Sequence, residues 1–135
     1  MDEVRLDTFI TSVSEEFDED ILELERNAIE DNIPIIRKDM QNLLRMMLGI
    51  VRPEKILEIG TAVGFSAILM KRYNPQDCHI TTIENYKKRI LAAKENFKKF
   101  GMEDKVLEFD VSSATVELAA VAVGTVIAII IKRKK

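Results

Sequence analysis

Lys55–Ser66, KILEIGTAVGFS, is the stretch whose reading decides the fold. An apolar run, Ile56 to Ile59, carries one acid, Glu58, and breaks into a small-residue loop, Gly60-Thr61-Ala62-Val63-Gly64. A helical pattern from Phe65 to Tyr73 follows. Strand, tight turn and helix N-terminus in that order are how α/β proteins hold nucleotide-like ligands. A second β-type run, His79-Ile80-Thr81-Thr82-Ile83, ends in another acid, Glu84, twenty-four residues after Gly60. A glycine-bearing loop with an acid at the next strand end reads as a site for an adenosine moiety, with the backbone against the ligand and the acid on ribose hydroxyls.

The flanks extend this pattern. Asp7–Ile29 has one helical face in Ile10, Val13, Phe17, Ile21 and Leu24, broken by Asn32-Ile33-Pro34. Pro34 suits the first turn of a second helix, Ile35 to about Ile50, ended by Gly49 and Pro53. Its stripe is Ile36, Met40, Leu43, Leu44, Met47 and Leu48, with the methionines read as core filler. Tyr86–Phe100 is a strong helix with a stripe of Ile90, Leu91, Ala93, Phe97 and Phe100, a lysine-rich opposite face and Gly101 at its end. A short strand, Val106–Phe109, leads to Asp110. Strands alternating with helices predict a parallel sheet with right-handed crossovers in one domain.

Composition sets bounds. The 135 residues suffice for one modest core, and 47% hydrophobic with 32% charged residues is globular. A single cysteine, Cys78, excludes an internal disulfide and suits a reducing, cytoplasmic setting; one histidine, His79, leaves too few ligands for a Cys/His metal site. The start, MDEVRLDTF, is acidic and lacks the apolar core of a signal peptide. Residues 1–31 hold twelve acids against two basic residues, while residues 32–135 hold eleven against eighteen. Solvated helix faces account for both blocks; a polyanion such as RNA is the sharper partner for the basic one.

With loop and acids placed, residues from about 26 to 110 resemble the N-terminal half of a class I S-adenosylmethionine-dependent methyltransferase with a Rossmann-like α/β fold. They are most similar to the cation-dependent O-methyltransferases of catechol and caffeoyl-CoA type, and within these to the bacterial tRNA 5-hydroxyuridine branch. The carrying segments are NIPIIRKDMQNLLRMML (32–48), RPEKILEIGTAVGFSAILM (52–70), ITTIENYKKRILAAKENFKKFG (80–101) and the acid of EFD (108–110). The resemblance implies that Glu58 fixes the loop and the methionine amino group, and that Gly60 and Thr61 approach the cofactor through backbone atoms. It implies that Gly64 leaves room where the helix begins, that Ser66 hydrogen-bonds the cofactor carboxylate, and that Glu84 takes both ribose hydroxyls. Asp110 and the Val111 amide would meet the adenine edge. Singly, Glu58 reads as a strand-end charge and Glu84 as an acid favouring a helix dipole; the loop and both acids together do not.

Beyond Asp110 the family pattern expects three metal-binding side chains for a divalent cation such as magnesium, and none is recognisable in VSSATVELAAVAVGTVIAIIIKRKK. Three readings of this tail compete. The first two are an antiparallel hairpin of Thr115–Val123 and Val126–Ile131, and a helix over Ser113–Val123 capped by Gly124 before a strand. The third is a membrane anchor over Leu118–Ile131, short for a span of about 20 residues and ranked last. In either of the first two, the tail must cover the exposed edge of the first strand or leave it to pair with another copy, which makes a homodimer an expectation. Two functions follow: a methyltransferase-like domain acting on tRNA hydroxyuridine or a small hydroxylated acceptor, and a non-catalytic, minimised Rossmann-like scaffold.

Overall fold

The computed structural model describes residues 3–84, 86–102, 106–108 and 128–129. Helices α1 (Glu3–Val13), α2 (Glu19–Glu30) and α3 (Lys38–Val51) precede β1 (Lys55–Ile59), α4 (Phe65–Tyr73), β2 (His79–Ile83) and α5 (Lys87–Lys99). Two short strands, β3 (Val106–Glu108) and β4 (Ala128–Ile129), complete the described elements. The sheet order is β3-β2-β1-β4, with β1 parallel to both neighbours and β2 parallel to β3. This is a Rossmann-like arrangement, with β1 inside the sheet and the strand C-termini at one end.

The core follows from the apolar runs. Ile56 and Leu57 of β1, Ile80 of β2 and all of Phe65–Met70 except Ser66 are hydrophobic and buried, so α4 is sealed between sheet and outer helices. Ile21, Leu24 and Ala28 of α2 and Leu44 and Leu48 of α3 close the same core. Cys78 is buried among them.

The single helix expected over Asp7–Ile29 is two helices. Chain between Val13 and Glu19 leaves the helical path so that Phe17 can enter the core and meet the Tyr73 ring edge-on at 5.3 Å. The Asp18 N–H donates to the Tyr73 hydroxyl at 2.8 Å, and Arg72 grips Asp18 and Asp20 at 2.5 and 2.6 Å. Along one helix, Glu15 would also face Glu19 and Glu16 would face Asp20 at the repulsive four-residue spacing. The helix expected from Ile35 starts later, at Lys38. Pro34 is not in its first turn but in a non-helical segment, Ile33–Arg37. The helix also runs through Gly49 and ends at Arg52, which takes a left-handed φ of 49°.

The α3 methionines are not core filler: Met40, Met46 and Met47 are 41–55% exposed, and the buried positions are Gln41, Leu44 and Leu48. Leu91 of α5 is likewise outside, with Ala93 and Phe97 carrying that helix inward. β4 lies beside β1, with Leu57 opposite Ala128 and Glu58 opposite Ile129. Of the tail readings, the Thr115–Val123 hairpin arm, the Ser113–Val123 helix and the Gly124 turn lie outside the described residues, as do Phe109, Asp110 and Val111.

Candidate functional site

Parallel pairing of β1 and β2 puts Ile59 level with Ile83, so the loop after β1 and the acid after β2 leave the sheet at the same end. The junction is stitched by backbone. The Ile83 carbonyl accepts from the Gly60 N–H at 2.9 Å and from the Thr61 N–H at 3.3 Å. The Ala62 N–H donates to Glu84 Oε2 at 3.0 Å, and the Tyr86 N–H donates to Glu84 Oε1 at 3.1 Å. Glu84 is half-buried and ties the loop to the start of α5.

Two positions in the loop need unusual backbone. Gly64 has φ +82°, and a Cβ there would lie 2.6 Å from Phe97 Cε1, so only glycine lets α5 close onto the helix start. Ala62 takes φ 48° despite its side chain, a conformation that costs about 1–2 kcal/mol and is held here by its bond to Glu84. The Asn96 side chain donates to the Val63 carbonyl at 2.8 Å and fixes the loop from the α5 side.

Beneath the loop lies a buried polar cluster. Glu58 is 1% exposed; Thr82 Oγ1 donates to its Oε2 at 2.7 Å and Ser66 Oγ donates to its Oε1. Thr61 Oγ1 and Thr82 Oγ1 are 2.5 Å apart. Burial is the main force on Glu58 and pushes its pKa up to about 7; the two hydroxyls oppose that shift and the nearby Glu84 charge adds to it. Glu58 is therefore not a strand-end charge reaching solvent. The Ser66 hydroxyl hydrogen, expected on a cofactor carboxylate, is directed at Glu58 instead.

A cavity of about 360 Å³ opens above this cluster, within the range of about 300–1,000 Å³ typical of small-molecule sites. One wall is Gly60, Thr61, Ala62 and Ser66 with Glu84; the other is Pro34–Arg37 with Asp39 and Met40. No atom lies within 4 Å of where a Gly60 Cβ would be, so that backbone faces open space. The second wall is positioned by Gln41. This fully buried side chain donates to the Ile36 carbonyl at 2.9 Å and to Glu25 at 2.7 Å, and Lys38 closes the set onto Glu25 at 2.7 Å.

Of the predicted site residues, Gly60, Thr61, Ser66 and Glu84 line this one cavity, with Glu58 directly beneath and Gly64 at the helix start. Asp110 and Val111 lie outside the described residues. Thr82, Gln41, Asn96 and the Pro34–Met40 wall were not predicted. Among the described residues no three His, Cys, Asp or Glu side chains are arranged to hold a metal ion, and no helix is long and apolar enough to cross a membrane.

The O-methyltransferase family profile matches residues 11–127. The chain belongs to the O-methyltransferase family. The match begins before residue 26 and continues past Asp110, so it is wider than the four motif segments. The chain is 35% identical over 63 residues to a protein-L-isoaspartate O-methyltransferase of Thermosipho melanesiensis, covering 47% of this chain and 32% of that protein. It is 25% identical over 103 residues to a catechol O-methyltransferase of Niastella koreensis, covering 75% and 47%. Among solved structures it is similar to the O-methyltransferase TomG of Streptomyces achromogenes, crystallised with S-adenosylmethionine, at 25% identity and a TM-score of 0.64 over 80% of this chain and 51% of TomG. This O-methyltransferase-family chain thus spans about a third to a half of the length of the curated relatives it matches.

Proposed function

We propose that this chain binds S-adenosylmethionine in the cavity between the Gly60–Gly64 loop and the Pro34–Met40 wall, as the cofactor-binding part of an O-methyltransferase acting on a hydroxyl. The carrying observation is that the loop and Glu84 converge at one end of the sheet around one cavity. The residues present fit the group. Open backbone at Gly60 allows close approach, and the Glu84 carboxylate lies at the cavity rim. Apolar Ile35, Ile36 and Met40 offer a surface for a purine. When bound, the cofactor supplies an electrophilic methyl group on a sulfonium. The protein's task is then to bind and orient it in line with the acceptor oxygen. Gln41 and Asn96 hold the two walls, and Ser66 and Glu84 present polar atoms to the ligand. A magnesium ion, implied by resemblance to the cation-dependent enzymes, finds no three-residue ligand group among the described residues.

Calorimetry with S-adenosylhomocysteine tests this reading. Saturable binding should weaken about tenfold or more in Glu84→Ala, the value of one to two hydrogen bonds to a charged group. No heat at millimolar ligand would end it.

The acceptor class we propose is a tRNA hydroxyuridine or a small hydroxylated molecule. The exposed lysines of α5, such as Lys87, Lys88, Lys98 and Lys99, support the former. A methyl-transfer assay on tRNA and on catechols, with and without magnesium, separates the two. Incorporation into neither, with binding intact, would favour the scaffold reading, which is supported by the way Glu84 already holds the loop at Ala62 and Ser66 already holds Glu58. For a homodimer, the support has moved from the β1 edge, which β4 pairs, to α1 and α3. There Phe9, Val13, Met47 and Ile50 are 45–71% exposed. Light scattering behind size exclusion decides it.

A further inference from the structure

The hydroxyl cluster under the loop carries an inference that rests on, and deepens, the cofactor reading. Each of Thr61, Thr82 and Ser66 has one hydroxyl hydrogen to give. Thr82 gives its hydrogen to Glu58 Oε2, so in the 2.5 Å contact between Thr61 and Thr82 the hydrogen must come from Thr61. Ser66 gives its hydrogen to Glu58 Oε1. All three hydrogens therefore point down the chain toward one carboxylate, an arrangement complete only when Glu58 is ionised. A proton added to Glu58 has to displace one of them. On Oε2 it would force two hydroxyls to turn together, Thr82 giving its hydrogen back to Thr61 and Thr61 turning its own away. On Oε1 it meets only Ser66, which lines the cavity and has open space to turn into.

We propose that Ser66 is a proton-gated donor. With Glu58 ionised, its hydroxyl hydrogen is held inward. With Glu58 protonated on Oε1, it turns into the cavity to meet the carboxylate of an amino-acid-bearing cofactor. Thr82 is the positioning residue that steers the proton to that oxygen. Glu58 itself stays behind Ser66 and does not touch the ligand.

Burial lifts Glu58 to about 7, which puts the gate within reach of ordinary pH. Among the described residues, the other charged groups at the cavity are Glu84 at the end of β2, Arg37 and Asp39 at the start of α3, and Arg89 of α5. Glu84 is the one whose charge raises Glu58.

The test is calorimetric titration from pH 6 to pH 8.5 with two ligands, S-adenosylhomocysteine, which carries the amino-acid carboxylate, and 5′-methylthioadenosine, which lacks it. S-adenosylhomocysteine should bind about tenfold tighter at pH 6 than at pH 8.5, the value of one hydrogen bond to a charged group. 5′-Methylthioadenosine should show no such slope. Ser66→Ala should flatten the first curve. Thr82→Val removes a bond to the ionised form and should move its midpoint up by about one pH unit, with Thr82→Ser restoring it. Circular dichroism melts confirm that each variant folds. A flat or inverted curve for S-adenosylhomocysteine in the unaltered chain overturns the gate, as does a slope that survives in Ser66→Ala. An unmoved midpoint in Thr82→Val overturns the role of Thr82. Failure of both ligands to bind at any pH overturns the cofactor reading itself, and the gate with it.

Discussion

Gly64→Ala offers a sharp test of how the loop is built, because two separate penalties meet at one atom. The first is conformational: at φ +82° an added Cβ costs about 1–2 kcal/mol. The second is steric. The new methyl would sit 2.6 Å from Phe97 Cε1 and 2.9 Å from Cζ, and Phe97 is buried and cannot swing into solvent. Overpacking of this kind costs about 1–3 kcal/mol. A gain of about 0.4–1 kcal/mol from stiffening the unfolded chain opposes both. The expected net destabilisation is roughly 2–4 kcal/mol, a large part of the stability of a domain this size. Urea denaturation followed by circular dichroism measures it. Phe97→Leu in the same chain should relieve the steric part alone, so the double variant should be at least about 1 kcal/mol more stable than the sum of the single effects predicts. Additive single effects, or a Gly64→Ala cost below about 1 kcal/mol, would show that α5 does not close on the loop as described.

Further outcomes follow from the same geometry. Glu58 has its folded pKa raised to about 7 against an ordinary 4.5, so the folded chain binds the extra proton between those values. The native state is therefore favoured by this group at low pH and loses up to about 3 kcal/mol as pH rises from about 4.5 to 7; Glu58→Gln should remove that slope in denaturation curves taken from pH 4 to 8. Asn74→Ala removes a buried donor to the Pro53 carbonyl at 2.8 Å and to the Gln76 carbonyl at 2.9 Å, and should lower stability by about 1–3 kcal/mol in the same assay. Arg72→Ala breaks two partly exposed contacts, to Asp18 and Asp20, and should cost only about 0.5–1 kcal/mol, shrinking further in 1 M salt.

The β1-loop-α4-β2 unit was legible in the sequence because each of its signals is local. The apolar runs are bounded by Gly60 and Asn74-Pro75, and both acids sit at strand ends, so parallel pairing alone brings them together. What escaped was decided by contacts between distant residues. The like-charge pairs around Phe17 are too weak a signal to mark a helix break; its partner, Tyr73, lies 55 residues on from the Asp18 it also binds. Thr82 reads as an ordinary β-branched strand residue until Glu58 is found beside it. The α3 stripe had correct helical spacing but was assigned too wide, since Gln41 is the fully buried residue and Met40 and Met47 face out. A polar residue whose partners, Glu25 and the Ile36 carbonyl, lie on other segments gives no periodic signal. Pro34 has a preference for a first helical turn, yet Ile33, Ile35 and Ile36 pack on the core from non-helical chain.

Helix α1 contributes no side chain described as buried, and the chain's hold on the core begins at Phe17. Trimming the first thirteen residues should accordingly leave the melting temperature nearly unchanged. That opening helix is free to drift in sequence, or to be recruited for contact elsewhere, at no expense to the cavity it precedes.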